Sequence, residues 1–135
     1  MIVVDASVWV SMLVPQDANH EISRRWLMAQ TEAAQRLIEP VLMLTEVAGA
    51  IARRTGSSEI ARNAIDAVMQ MPLLHIVAID NRLGQEATSL AANLHLRGAD
   101  AIYVAVARQL GVPLASWDQE QLERARPVVN ISQIK

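Results

Sequence analysis

Short apolar runs that stop on or near a carboxylate alternate with helix-length segments along this chain, and that alternation narrows the choice of fold more than any other feature. Ile2-Val3-Val4 ends on Asp5, and Val112-Pro113-Leu114-Ala115 leads through Ser116 and Trp117 to Asp118. A short apolar run without polar alternation is the pattern of a strand covered on both faces, as in parallel sheets. Strands are expected at Met1–Asp5, Arg36–Glu39, Leu73–Ile79, Pro113–Ser116 and Pro127–Ile131. Between them, helical spacing is read over 7–14, 18–34, 40–54, 60–68, 81–96, 100–111 and from about 119. Pro40 is placed at the first turn of its helix, Gly56 after that helix's end, and Gly98 as a break between two others. Strands alternating with helices imply an α/β fold with a central parallel sheet and helices on both faces.

Nothing divides the chain, which has no repeat, low-complexity tract or linker-like stretch, so residues 1–135 are expected to form one domain. The hydrophobic share is 52% with no Phe, which leaves Ala, Val, Ile, Leu and Met to build the core around Trp9, Trp26 and Trp117. With no cysteine, disulfides, thiolate zinc sites and a cysteine nucleophile are excluded. The N-terminus lacks a signal peptide's basic region, and no apolar stretch approaches the ~20 residues that span a bilayer. A cytoplasmic protein without membrane contact is the expectation. The net charge of -2 does not mark a nucleic-acid binder, although nearly all positive charge is arginine, with pairs at Arg24-Arg25 and Arg53-Arg54. Solvated helix faces account for such pairs as well.

Four lone acids sit in or beside apolar runs: Asp5, Glu46, Asp100 and Asp118. A carboxylate in a low-dielectric setting costs several kcal/mol unless protonated, paired or metal-bound, so a shared cation explains all four. Mg²⁺ and Mn²⁺ prefer oxygen ligands, and Mg²⁺ is usually held by a few carboxylates plus waters and phosphate oxygens. Such ions activate water and neutralise charge on a scissile phosphate. Asp5 and Asp118 fall at the ends of strands, where open parallel sheets place their ligand crevice.

Each acid also has a structural reading. Asp100 is in place to cap or begin a helix, and Asp118 to cap the helix from Gln119, with Gln121 closing a box-like arrangement. Asp5 has no evident backbone duty if Ser7 caps the following helix. Glu46 lies in a helix apolar nearly all round, where a salt bridge to Arg53 or Arg108 is the alternative. His20, His75 and His95 lack metal-ligand spacing and are assigned no role.

Taken together these residues resemble the PIN domain family, and within it the toxins of bacterial and archaeal toxin–antitoxin pairs, often called VapC. The resemblance is carried by Val3-Val4-Asp5-Ala6-Ser7-Val8, Leu44-Thr45-Glu46-Val47, Gly98-Ala99-Asp100-Ala101-Ile102-Tyr103-Val104-Ala105 and Leu114-Ala115-Ser116-Trp117-Asp118, in the family's order. It extends from Ile2 to about Ile131. It implies an α/β/α sandwich and a Mg²⁺- or Mn²⁺-dependent endoribonuclease acting on RNA. Asp5, Glu46, Asp100 and Asp118 would then be the acidic metal ligands, with Ser116 at the hydroxyl position that helps orient the site. The resemblance also implies an antitoxin whose C-terminal segment lies in the active-site groove, and a homodimer. Two departures stand out: Ser116 where many relatives have Thr, and bulky Trp117 where a smaller or acidic residue is frequent. Trp117 is in place either to stack on a base or to pack at the rim of the core.

Two other functions compete. Aspartyl-phosphate chemistry also begins from a carboxylate after the first strand, but it needs a lysine for the phosphoryl charge, and the only lysine is Lys135. The same lack excludes a P-loop. A PIN-like module that binds RNA or protein without cutting is the non-enzyme alternative.

Overall fold

The computed structural model describes all of residues 1–135. Strand β1 (Ile2–Val4) leads into helices α1 (Ala6–Leu13) and α2 (His20–Glu32). Strand β2 (Leu37–Pro40) is followed by α3 (Leu42–Thr55) and α4 (Ser58–Met69), and β3 (Leu74–Val77) by α5 (Asn81–Leu94) and α6 (Gly98–Leu110). Strand β4 (Leu114–Ala115) and α7 (Gln119–Ala125) complete the chain. The strands form one parallel sheet in the order β3-β2-β1-β4. Helices flank it in an α/β/α arrangement, and α6 packs against β1, β2 and β4.

That order places the site. From β1 the chain steps outward through β2 to β3, then returns to lay β4 on β1's other side, so the direction of winding reverses between β1 and β4. The crevice beyond their carboxyl ends is where a parallel α/β sheet binds ligand. Val3 pairs with Leu114 and Val4 with Ala115, which sets the loops carrying Asp5 and Ser116-Trp117-Asp118 side by side.

Both central strands, β1 and β2, are buried, and α6 is covered nearly all round through Ala101, Tyr103, Val104, Ala105, Val106 and Ala107. Helix α3, apolar over most of its sequence, buries only the stripe Met43, Val47 and Ile51.

Three expectations need correction. Pro127–Ile131 is not a strand: Val128 and Val129 both donate to the Ala125 carbonyl, the chain coils off α7, and only Ile131 bridges to Leu114. Pro40 ends β2 opposite Val77 rather than opening a helix, and pairing continues as the Val41 N–H donates to the Val77 carbonyl. Gly98 begins α6 rather than separating two helices, and the break falls at His95, whose φ of 54° ends α5.

Candidate active site

One cleft of about 630 Å³ gathers all four sequence-predicted acids, and Asp5, Glu46, Asp100 and Asp118 line it with Ser7, Arg53 and Trp117 among others. Asp5 follows β1 and caps α1. Its Oδ2 accepts the Ser7 N–H at 2.8 Å, while Oδ1 accepts from Gln121 Nε2 at 3.3 Å. Glu46, on the second turn of α3, is held by the Tyr103 hydroxyl of α6, which donates to Oε1 at 2.7 Å. Asp118 caps α7 by accepting the Gln121 N–H at 3.1 Å, and its own N–H donates to Ser116 Oγ at 3.0 Å. Asp100 sits in the first turn of α6, where an acid suits the helix dipole.

The electrostatics follow from this crowding. Burial raises the Asp5 pKa, with Asp118 adding repulsion, against the lowering effect of the bonds from Ser7 and Gln121. Burial also raises Glu46, opposed by the Tyr103 hydrogen bond. Asp100 is pushed up to about 6, by desolvation first and then by Asp5, Asp118 and Glu46, with Arg97 pulling the other way. Several acids that raise one another's pKa make a place where a cation lowers the free energy.

The donor chemistry fits a hard divalent ion. Every charged ligand candidate lining the cleft is a carboxylate, with no His among them. No three acidic or histidine side chains stand together as a ready-made ligand set, however. Mg²⁺ does not require a closed protein cage, since it is usually held by a few carboxylates with several waters.

The PIN domain family model matches residues 2–127. The chain belongs to the PIN domain family. No curated protein matches it. Among solved structures, it is similar to VapC20 of Mycobacterium tuberculosis, described as a Sarcin-Ricin loop cleaving toxin, with a TM-score of 0.77 at 20% identity over 91% of this chain and 94% of that one. VapBC2 from Rickettsia felis, solved bound to a promoter DNA fragment, superposes with a TM-score of 0.74 at 13% identity over 98% of each chain. FitAcB from Neisseria gonorrhoeae gives 0.71 at 20% identity over 98% and 97%. At these identities the structural likeness establishes the fold.

Within this PIN domain several sequence readings change. Asp5 does have a backbone duty, since it caps α1 and Ser7 lies inside the helix. Asp118 caps α7 as expected, but no capping box closes, because the Gln121 side chain turns into the site toward Asp5 and the Asp100 carbonyl. Glu46 pairs with neither arginine: Arg108 meets Glu86, and Arg53 has no salt bridge. Ser116 is buried behind the cleft, where its hydroxyl orients the Asp118 backbone and lies 3.4 Å from Ser7 Oγ. Trp117 is half-buried, packs on the core and also lines the cleft.

The sequence reading missed the roles of two buried polar residues of this PIN domain. Gln121 reads as part of a capping box, and only the fold brings its side chain to Asp5. Glu39 lies in β2 fully buried, with its pKa raised well above the usual range by burial. Its Oε1 accepts the Val4 N–H at 3.2 Å, and the Trp9 indole opposes the rise without closing hydrogen-bond geometry on Oε2. The signal was present, since Glu39 closes a short apolar run as Asp5 does.

Proposed function

We propose that this PIN domain is a divalent-metal-dependent endoribonuclease, acting as the toxin of a toxin–antitoxin pair in the cytoplasm. The observation that carries the reading is the convergence of Asp5, Glu46, Asp100 and Asp118, from four separate segments, on one cleft at the reversal of strand order. Mg²⁺, or Mn²⁺ in its place, would be held by these four acids and would supply Lewis acidity and a lowered pKa for the water that, once deprotonated, attacks the phosphodiester. The protein's own part is positioning. Gln121 and the Ser7 N–H fix both Asp5 oxygens, Tyr103 fixes Glu46, and Ser116 with the Gln121 N–H fixes Asp118. Ser116 therefore acts through Asp118 and not on substrate. With no cation bound, Asp100 exchanges a proton near neutral pH.

The solved toxin–antitoxin complexes among its structural neighbours support an antitoxin partner, and we extend the reading to a homodimer. No helix is long and apolar enough to cross a membrane. The spread of the acids favours one competing reading, a module that binds RNA or protein without cutting.

Purified protein incubated with a mixed RNA pool and Mg²⁺, Mn²⁺ or EDTA, beside an Asp5→Asn control, separates the two. Metal-dependent cutting absent from the control is expected. RNA binding that persists in EDTA, with no cutting on adding Mn²⁺, would establish the module instead. Unimpaired growth on expression without the antitoxin gene would argue against a toxin.

A further inference from the structure

The chain has four aromatic residues, three Trp and one Tyr, and no Phe. Trp9 and Tyr103 are 0% exposed and Trp26 only 5%, so these three are spent on the core. Trp117 alone keeps an accessible surface, and it is the one aromatic lining the acid cleft, immediately before Asp118. Its polar atoms are already committed. The indole N–H donates to Ser23 Oγ at 2.8 Å, Ser23 meets Ser11 Oγ at 2.6 Å, and the Ser11 hydroxyl donates to the Val8 carbonyl. The Trp117 backbone N–H donates to Ser7 Oγ at 3.1 Å. The ring is thus tied to α1 and α2 before any ligand arrives, and its immobilisation cost on binding is small.

We propose that Trp117 is a stacking platform for one base of the bound RNA. The inference rests on the ribonuclease reading of the same cleft. A flat, pre-fixed ring accepts any base through its π-face, whereas a base inside a duplex is already stacked on both sides. Arg53, which lines the same cleft without a salt bridge, is a cation for a neighbouring phosphate.

The test follows tryptophan emission while the Asp5→Asn chain, which keeps the ring, is titrated with an unlabelled single-stranded RNA oligonucleotide or with the same sequence as a duplex. Labelled RNA of each kind reports binding separately by anisotropy. Saturable quenching by the single strand is expected, absent in Trp117→Phe/Asp5→Asn, where Trp9 and Trp26 remain. In the active background Trp117→Ala should raise KM for single-stranded RNA about tenfold with kcat within about threefold, and Trp117→Phe should recover most of the loss. Binding by anisotropy without any change in emission would overturn the stacking and leave the nuclease standing. Equal quenching by the duplex, whose bases are already stacked, would also overturn the stacking. No binding and no cutting of any RNA would remove both readings. The quenching arm needs no substitution at position 117, so it decides even if Trp117→Ala folds poorly.

Discussion

Gln121 Nε2 lies 3.3 Å from Asp5 Oδ1 and 3.4 Å from the carbonyl of Asp100, which ties α7 to the two acids at the start of α1 and α6. Gln121 is almost fully buried and its own Oε1 has no partner. The residue therefore holds catalytic groups in place at some cost to stability, since a buried unpaired carbonyl is unfavourable.

Gln121→Met keeps the volume and removes that orphaned oxygen. Its unfolding free energy should stay within about 1 kcal/mol of the parent. Its kcat on RNA should nonetheless fall about tenfold as Asp5 loses a restraint, since a slight misplacement of a catalytic group is costly. The bond from Gln121 lowers the Asp5 pKa, so its loss should move the acid limb of the pH–rate profile to higher pH. A variant with unchanged rate and unchanged profile would show that Gln121 only packs.

Metal-free stability should depend on pH in the direction set by Asp100. Its folded pKa of about 6 lies above the ordinary value of 3.8, so the native state binds the proton more tightly than the unfolded chain. The resulting destabilisation is absent below about 4, grows as pH rises through that window and is complete above about 6. In EDTA the thermal midpoint should therefore be higher at pH 5 than at pH 7.5. Asp100→Asn should shrink the difference without abolishing it, since Asp5, Glu39 and Glu46 are raised too, and saturating Mg²⁺ should oppose it by favouring the ionised acids. A flat profile for the parent in EDTA would mean that burial and the neighbouring acids do not raise the Asp100 carboxyl.

Tyr103→Phe removes the hydroxyl that donates to Glu46 and nothing else. The loss should cost about 1.5–3 kcal/mol of stability, the usual worth of a hydrogen bond to a charged group. The Glu46 pKa should rise further, because that bond opposes the effect of burial. Mg²⁺ affinity, read by calorimetry, should fall, and by more as the pH is lowered, because proton and metal compete for Glu46.

Arg53→Gln tests the basic edge of the cleft. Withdrawing one cation from an RNA phosphate should lower the slope of log affinity against log salt by about 0.7 on single-stranded RNA. Arg54 provides the comparison, because its guanidinium is engaged with Asp17 at 2.7 Å and holds that carboxyl below its ordinary range. Removing Arg54 should instead cost local stability, and equal salt slopes for parent and Arg53→Gln would place the RNA elsewhere.

Much of the architecture was legible in the chain itself. The alternation of buried apolar runs with helical spacing determined a parallel α/β sheet, because only strands covered on both faces carry such runs. Carboxylates inside those runs marked the acids, because burying a charge is too costly to be incidental. Local signals failed where nonlocal pairing took over. Pro127–Ile131 has strand composition but the coil off α7 offers it a single bridge, and Pro40 reads as a helix start while Val77 claims it for the sheet.

The sequence by itself determined the four acids of the cleft, their order along the chain and the class of sheet that holds them, but not Glu39, the acid buried deepest. Only the tertiary structure decided that β4 returns beside β1, which puts Asp118 and Trp117 next to Asp5. It alone recruited Gln121 to Asp5, Tyr103 to Glu46 and Ser23 to the Trp117 indole. Those partners lie 57 to 116 positions apart along the chain, and no local propensity encodes a hydrogen bond between groups that meet only after the sheet has closed.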